Sequence, residues 1–394
     1  MSVTQTVVKE VKSYHWFVQF MIVVVLVGAA AAIYRFAFGL GATTNLSDTY
    51  PWGLWVAFDV VTAVPLAAGS FTLGAIVYCF NIKKLEPLIR PAIVTGFLGY
   101  SLVCVGLLVD LGQPHKGWHV LFFWNLHSPM FEVAMCVFAY TTVLFLEFLE
   151  PVGEKFGWKF SLKTLRRIHM PLVIAAAAIS TLHQSSLGTF FLIAVEKLHA
   201  LWYNPLLPLL FWMSAISCGM CIIILEASAC HKWMGQEDEG VLLRTLAKIL
   251  PWTIGAYIIV RILSLIFLTE KALFDDPIMT KLFAAEMGGF LTAFFMFCMR
   301  TVRNSNPLRA FAATILVFAL ILHRFNVSIF GMMDWNNIYY PSTVETLVTV
   351  GILAAHVLFF VLIARYFPIF VHAHEEEEEQ AVEESSAEPA FSHN

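Results

Sequence analysis

Ten apolar runs separated by short polar segments make up most of the chain. Each is close to the roughly 20 residues that an α-helix needs to cross a bilayer. Membrane β-strands are only about 9–11 residues long, so the runs do not fit a barrel. They fall at 16–39, 52–80, 91–111, 129–149, 168–190, 203–227, 249–268, 281–300, 309–325 and 346–367. The pattern predicts an all-α polytopic membrane protein with about ten transmembrane helices and one transmembrane domain over 16–367.

The composition agrees with this prediction and limits the partners. Hydrophobic residues make up 59% of the chain, charged residues 13%, and the mean hydropathy is +0.75, whereas soluble domains carry roughly 25% charged residues. The net charge is −4 and no basic face is apparent, so we expect no nucleic-acid partner. The acidic run Glu375 to Glu379 predicts a disordered, solvated tail over 368–394, and residues 1–15 form a short N-terminal segment.

Loop charges predict the orientation of the chain in the membrane. Most Lys and Arg residues outside the apolar runs lie before the first run and in the loops after the even-numbered runs. Such loops face the cytoplasm, so both termini are predicted to be cytoplasmic. The opposite, outer loops and their edges carry an aromatic belt: Trp52, Trp118, Trp124, Trp202, Tyr203, Trp335, Tyr339 and Tyr340. A surface of this kind also suits the docking of a partner protein.

Several ionisable residues lie within the apolar runs, where a charge is costly and often functional. Asp59 lies about two helical turns inside the second run, Asp110 ends the third, and Glu132 falls in the first turn of the fourth. Each also has a structural interpretation: a solvated helix end for Asp110, and a helix N-terminus that stabilises a carboxylate for Glu132. His127 lies just before Glu132. With the predicted orientation, all four fall in the outer half.

The fifth run contains the least ordinary polar stretch, Ser180-Thr181-Leu182-His183-Gln184-Ser185-Ser186-Leu187-Gly188. We expect it to interrupt the helix and to face a cavity rather than lipid, although hydrogen bonding between helices would also explain it. In the seventh and eighth runs, Arg261 and Glu286 are predicted to form a pair or part of a proton route. No spacing along the chain suits zinc, an iron–sulfur cluster or a nucleotide.

Four motifs resemble the NrfD / polysulfide-reductase membrane-subunit family, in particular its HybB branch, the membrane subunit of a nickel–iron hydrogenase. They are PWGLWVAFD (51–59), VDLG (109–112), STLHQSSLG (180–188) and IILEASA (223–229). The resemblance implies two four-helix bundles, about 52–190 and about 203–325, flanked by helices 16–39 and 346–367. It also implies a bacterial inner membrane, a quinone pocket near the outer side, and menaquinone as the quinone.

The hypothesis that follows is a quinone-reactive subunit that is not catalytic alone. A periplasmic four-cluster ferredoxin-like iron–sulfur protein, together with the large and small subunits of a nickel–iron hydrogenase or another respiratory enzyme, would exchange electrons with menaquinone. The predicted quinone-binding residues are Asp59, Asp110, His127, Glu132, His183, Gln184 and Ser185. The predicted proton-transfer residues are Asp59, Glu132, Arg261 and Glu286.

Haem b needs two His ligands at matched depth. His183, His356 and His169 are predicted at outer, middle and inner depths, so we expect no haem. Two other functions stay open: an ion-translocating or secondary-transporter subunit, which buried acids also fit, and a passive membrane anchor whose polar groups only hold helices together.

Overall fold

A computed structural model describes residues 3–195, 197–234, 239–268, 274–334 and 338–370. For residues 3–14 and 159–162 only the backbone is described. The predicted acidic tail lies outside the described residues from 371 onward, as does Trp335 of the predicted aromatic belt.

Within the described residues, ten helices are long and apolar enough to cross a membrane, which confirms the predicted fold class. We number them α1 to α10 in chain order. They are Val3–Phe38, Trp55–Cys79, Ile89–Asp110, Pro129–Phe156, Lys159–Leu192, Leu207–Met234, Gly240–Leu268, Pro277–Cys298, Asn306–Ser328 and Thr343–Tyr366.

The second helix, α2, is irregular. Its segments Trp55–Thr62 and Ala75–Cys79 are π-helical, and the two α-helical segments between them, Ala63–Leu66 and Gly69–Gly74, are separated at Ala67. Pro65 contributes to this irregularity because it has no N–H to donate. Short π-helical segments occur often at functional sites, and Asp59 lies in the first of them.

The predicted interruption of the fifth helix is wrong. The helix α5 runs from Lys159 to Leu192 without a break through 180–188. Its hydroxyl side chains hydrogen-bond within the helix: Thr181 Oγ1 donates to the carbonyl of Ala177 at 2.8 Å, and Thr189 Oγ1 to that of Ser185 at 3.1 Å. Ser and Thr can satisfy themselves this way, so a polar stretch need not break a membrane helix.

Helices α2 to α5 contact one another in a closed ring, which we call the first bundle, and α6 to α9 form a second ring, the second bundle. The two bundles meet where α2 and α5 pack on α6 and where α2 packs on α9. The flanking helices α1 and α10 pack on each other and α10 continues onto α2 and α3. At their crossing, a Cβ at Gly28 would lie 2.6 Å from the Cα of Gly351, so only glycine permits this approach.

Three large side chains with polar nitrogen or oxygen atoms lie in the protein interior. Arg324 falls inside α9 and its guanidinium stacks on the ring of Phe211 at 3.5 Å. Trp202 and Tyr339, which the sequence assigned to an aromatic belt, are also buried. Hydropathy alone could not separate a belt aromatic from a buried hydrogen-bond donor, because both are apolar rings with one polar atom.

Candidate functional site

The start of α2 is fixed to the N-terminus of α10. The indole Nε1 of Trp55 donates to the backbone carbonyl of Glu345 at 3.2 Å. The Tyr339 hydroxyl donates to the Glu345 carboxylate and accepts the backbone N–H of Leu54 at 2.9 Å. A Cβ at Gly53 would lie 2.5 Å from this hydroxyl and 2.7 Å from Glu345 Oε1. The PWGLW segment therefore forms a joint between two helices that only glycine allows to close.

Glu345 is the centre of this joint although the sequence did not single it out. It is fully buried and forms a capping box with Ser342, whose hydroxyl accepts from the Glu345 backbone N–H at 3.1 Å. In return, Glu345 Oε2 accepts the backbone N–H groups of Ser342 at 2.8 Å and of Asn45 at 3.2 Å. The S-x-x-E spacing of a capping box was visible in the sequence and could have identified it.

Asp59 lies one helical turn further along the same contact. Its side chain is 2% exposed, and Thr349 Oγ1 donates to its Oδ2 at 3.0 Å. On the other side, a Cβ at Gly106 of α3 would stand 3.0 Å from the Asp59 Cβ. Asp59 is therefore clamped between α3 and α10, with one hydroxyl donor for its carboxylate.

A cavity of about 210 Å³ opens beside Asp59, between helices α2, α3, α6 and α10. Most of its lining is apolar, including Phe58, Leu66 and Ile222. The polar lining residues are Asp59, Thr95, Glu226 and His356. A largely apolar cleft with a few polar groups is the usual form of a small-molecule site. Of the seven predicted quinone-binding residues, Asp59 is the one that lines this cavity.

Glu226 and His356 are the lining residues that sequence reasoning did not place in the site. Glu226 is next to last in the sixth apolar run, which precedes a loop predicted to face the cytoplasm. The structure brings it to the same cavity as Asp59, where the Thr95 hydroxyl donates to its carboxylate. The Cε1 atom of His356 lies 3.7 Å from the Cβ that would be built on Gly99 of α3. The IILEASA motif contained Glu226, but its partner helix could not be known from sequence.

Asp110, at the end of α3, interacts electrostatically with Asp59 and also has a basic partner from α1. Arg35 of α1 is 2% exposed, interacts electrostatically with Asp110, and donates from Nη2 to the carbonyl of Leu111. The acid at the end of α3 is therefore compensated by a basic side chain from the flanking helix. Asp110 does not line the cavity.

His183 lies in the interior of the first bundle. It is fully buried, and its Nδ1 is 3.1 Å from the Tyr100 hydroxyl. The Tyr100 ring packs on that of Tyr140 at 4.5 Å between centroids, and the Tyr140 hydroxyl is 3.0 Å from Ser70 Oγ. His183 Nε2 and both polar atoms of the adjacent Gln184 side chain are buried without a hydrogen-bond partner in the described part of the chain.

The remaining predicted residues are scattered. Ser186 Oγ donates to Glu132 Oε1 at 2.6 Å, which joins α4 to α5. Ser185 Oγ donates back to its own helix, 2.9 Å from the carbonyl of Leu182. His127 is exposed in the loop before α4. The seven residues predicted as one quinone site therefore do not all line one cavity. Asp59 and Asp110 lie close enough to interact electrostatically, whereas the His183–Gln184 pair, Ser185, Glu132 and His127 have other surroundings.

The predicted pair of Arg261 and Glu286 does not form. Glu286 is fully buried and its Oε1 lies 2.9 Å from His323 Nδ1. Trp202 Nε1 and Asn326 Nδ2 donate to its Oε2 at 2.8 and 2.7 Å. Arg261 instead donates to the carbonyl of Leu201 at 2.9 Å. The partner of Glu286 comes from α9, which the sequence pattern could not place beside α8.

A second cavity, of about 300 Å³, lies at the other end of the first bundle, which we call the inner end after the predicted orientation. Arg90 and Arg166 line it, and they form ion pairs with Glu154 at 2.9 Å and with Glu150 at 3.6 Å, respectively. Within the described ranges, no group of three or more His, Cys, Asp and Glu residues is arranged to hold a metal ion.

Comparison with known proteins gives a consistent family. The family model described as polysulphide reductase, NrfD, matches residues 42–373. A protein of Nitratidesulfovibrio vulgaris is 31% identical over 361 residues, covering 88% of this chain and 92% of that protein. The probable Ni/Fe-hydrogenase 2 b-type cytochrome subunit of Escherichia coli is 29% identical over 345 residues, covering 85% and 87%. The integral membrane subunit of menaquinone reductase from Nitratidesulfovibrio vulgaris is 27% identical over 381 residues, covering 87% and 88%.

Proposed function

Because the chain belongs to the NrfD polysulphide reductase family, as its motifs predicted, we propose that it is the quinone-binding integral membrane subunit of a respiratory oxidoreductase complex. The quinone head group binds in the cavity beside Asp59. One Nitratidesulfovibrio vulgaris relative is the integral membrane subunit of menaquinone reductase, which supports menaquinone as the quinone. The chain is not catalytic alone and works with a partner that carries the redox centres.

The observation that carries this proposal is a buried carboxylate on the wall of an apolar cavity. The apolar lining suits a ring system and its isoprenoid tail. Thr95 and Glu226 are hydrogen-bonded to each other, so Asp59 and His356 are the other polar lining groups that can hydrogen-bond an oxygen of the ring. A quinone takes up two electrons and two protons when it is reduced. Asp59, with Thr349 holding one of its oxygens, is positioned to exchange a proton with solute in the cavity.

The proposed partner is a redox protein at the outer end, where the sequence predicts Asp59 to lie. Electrons reach the quinone from a periplasmic four-cluster ferredoxin-like iron–sulfur subunit that docks on the outer end, and a nickel–iron hydrogenase is the favoured catalytic partner. The exposed aromatic residues Trp118, Phe122 and Trp124 of the loop between α3 and α4 offer an apolar docking or lipid-facing surface. The membrane is the bacterial inner membrane, and both termini are cytoplasmic.

Proton exchange is assigned to Asp59 first, with Asp110 and Glu132 on the neighbouring contacts. His183, with Gln184 and Ser185, is a second position for a quinone oxygen, and the unpartnered buried atoms of His183 and Gln184 support it. Arg261 and Glu286 remain a sequence-based prediction for proton transfer, weakened because three donors already hold Glu286.

The test compares Asp59→Asn and His183→Ala in membranes that contain the assembled complex, with quinone-linked turnover as the readout. Asp276→Asn is the matched control, because Asp276 caps α8 and Asn caps helices equally well. We expect Asp59→Asn to lose at least about tenfold in turnover, which corresponds to about 1.4 kcal/mol. A loss of turnover in His183→Ala but not in Asp59→Asn would indicate that the quinone binds at His183 instead. Wild-type turnover in both variants would refute the proposed site.

A passive anchor predicts a different result from the same variants. In that case turnover falls only in proportion to the amount of complex assembled, which co-purification of the partner subunits measures. A drop in turnover per assembled complex supports the quinone-binding function.

Haem is not part of the proposed function, although the Escherichia coli relative is described as a probable b-type cytochrome subunit. The three candidate ligands lie in separate places: His183 on Tyr100, His356 on the cavity, and His169 with its ring 5.4 Å from Tyr78 at the inner end. They do not fit the paired axial ligands of haem b. A reduced-minus-oxidised spectrum of the purified chain tests this, since a stoichiometric b-type band would contradict it.

One observation favours a second function, ion translocation. Glu226, placed near the inner end by sequence, lines the same cavity as Asp59, so two acids from different depths share one space. Buried acids in series are typical of ion pathways. Solute or proton uptake by proteoliposomes containing the chain alone would support this alternative, and absence of uptake with intact quinone-linked turnover in the complex would exclude it.

A further inference from the structure

The interior of the second bundle carries more positive than negative charge. Arg261, Arg324 and Glu286 are all fully buried there. Arginine stays protonated in proteins, so two guanidinium groups face one carboxylate. Glu286 Oε1 lies 2.9 Å from His323 Nδ1, and among the described residues no ion pair joins its carboxylate to either arginine. Burying an uncompensated charge costs several kcal/mol even after relaxation, and the membrane around the bundle offers no counter-charge.

Both guanidinium groups are held on one side only. Arg261 Nη2 donates to the carbonyl of Leu201 at 2.9 Å. Arg324 Nη2 donates to the carbonyl of Phe211 at 2.9 Å and approaches Ser214 Oγ at 3.1 Å. The Nε and Nη1 atoms of both arginines are buried and have no hydrogen-bond partner among the residues that the structure describes. Four nitrogen atoms, each carrying at least one N–H group, therefore lack a hydrogen-bond acceptor.

Tyr257 connects the two groups. It precedes Arg261 by one helical turn on α7, and its ring lies 6.1 Å from that of His323, the residue before Arg324. Tyr257 interacts electrostatically with Arg261, Arg324 and Glu286. Its hydroxyl is also buried without a partner in the described ranges. The unpartnered donors therefore belong to three neighbouring buried side chains, two on α7 and one on α9.

A ligand for this region must accept hydrogen bonds, because arginine has donors and no acceptor. Water could satisfy the donors but not the excess charge, whereas an anion does both. The surrounding rings of Phe211, Phe283 and Phe290 favour a weakly hydrated ion over a strongly hydrated one. We propose that the second bundle binds one small inorganic anion of the halide class, held by Arg261, Arg324 and the Tyr257 hydroxyl.

The anion joins α7 to α9 and thereby stabilises the second bundle, whether or not the chain binds a quinone. Anything that binds the folded state alone raises its stability with concentration. The full chain in detergent is therefore expected to melt at a higher temperature as gluconate is replaced by chloride, with a saturable rise of a few degrees. Equilibrium dialysis with radioactive chloride should give one ion per chain.

Variants separate this site from general salt effects. Arg324→Gln removes a guanidinium and should abolish chloride binding and the chloride-dependent rise in melting temperature. Tyr257→Phe removes one hydroxyl donor, should fold normally, and should weaken binding about tenfold. The matched control is Arg90→Gln, because Arg90 lies in an ion pair with Glu154 at the inner end. It should lose stability and keep the chloride response.

Three results would overturn the proposal. The first is a wild-type chain that binds no chloride and melts at the same temperature in chloride and gluconate, which would mean that water alone satisfies the donors. The second is a loss of the chloride response in Arg90→Gln as complete as the loss in Arg324→Gln. The third applies if Arg324→Gln does not fold: a chloride affinity of Tyr257→Phe equal to that of the wild type would refute the site.

Discussion

The Thr349 hydroxyl donates to Oδ2 of Asp59 at 3.0 Å, linking residues 290 positions apart in the chain. One helical turn nearer the outer end, Trp55 donates to the carbonyl of Glu345 at 3.2 Å. The spacing from Trp55 to Asp59 equals that from Glu345 to Thr349, so α2 and α10 contact each other in register. The flanking helix α10 therefore positions the acid that the proposed quinone site depends on.

Thr349→Val tests this positioning. The change keeps the shape of the side chain but removes the donor to a buried carboxylate, and an unsatisfied buried group costs about 1–3 kcal/mol. We expect quinone-linked turnover between those of the wild type and Asp59→Asn. Thr142→Val is the control, because Thr142 is exposed and donates to its own helix. Equal turnover in both variants would show that Thr349 does not act through Asp59.

Gly53→Ala tests the joint between α2 and α10. The added methyl group would meet the Tyr339 hydroxyl and Glu345 Oε1, which are hydrogen-bonded to each other and cannot both move away. Overpacking of this kind costs about 1–3 kcal/mol. We expect a lower melting temperature in detergent. Gly41→Ala should change little, since nothing lies within 4 Å of its added Cβ.

Glu286→Gln tests the polar core of the second bundle. The variant loses the charge that faces His323 and keeps its shape, and breaking a buried pair costs about 3–5 kcal/mol. Trp202→Phe, which removes one of the three donors, should cost less, about 1–3 kcal/mol. Chemical unfolding of the purified chain measures both. A wild-type unfolding midpoint for Glu286→Gln would show that this contact does not stabilise the fold.

Two adjacent glycines in α8 provide an internal comparison. A Cβ at Gly289 would lie 2.7 Å from the Cβ of Ala319 in α9, whereas nothing lies within 4 Å of a Cβ at Gly288. Alanine is the better helix former by about 0.5–1 kcal/mol. We therefore expect Gly288→Ala to raise the melting temperature and Gly289→Ala to lower it. The same shift in both would mean that α8 and α9 do not pack this closely.

His199 gives a pH-dependent prediction outside the membrane spans. Its Nδ1 accepts from the backbone N–H of Leu201 at 3.3 Å. Burial lowers the pKa of His199, an effect that Asp276 opposes. Because the folded pKa is below the unfolded value of about 6.5, this stabilising contribution is complete above that pH and is lost as the pH falls toward the folded pKa.

His199→Gln removes this titration. As the pH is lowered from about 7.5 to about 5, the melting temperature of the wild type should therefore fall further than that of the variant. Identical losses would mean that the burial of His199 does not affect stability. The comparison between two chains cancels the titration of all other groups.

The opening motif of α2 shows how far sequence reasoning could reach. PWGLWVAFD identified Asp59 as a buried acid worth explaining, and the structure places Asp59 on a cavity with one hydroxyl donor. It did not show that Gly53 and Trp55 are structural, because their partners, Tyr339 and Glu345, lie almost at the other end of the chain.

The structure brings the predicted site residues together only in part, for a related reason. Asp59, Glu132 and His183 were grouped by depth, but depth along the membrane normal does not give the direction in which a helix points its side chains. The structure directs His183 into the first bundle toward Tyr100 and Glu132 toward Ser186. Arg261 and Glu286 likewise lie close enough to interact but have separate hydrogen-bond partners.

The sequence by itself determined the ten membrane helices, because a helix that crosses a bilayer requires a run of about 20 apolar residues. It also determined the family, because each family motif is a short run of consecutive residues. The tertiary structure alone decided which polar atoms meet: Thr349 on Asp59, His323 on Glu286, and Glu226 on the cavity. These contacts depend on the rotation and neighbours of each helix. A buried acid can be read from the chain, but its partner comes from a helix that only folding brings beside it.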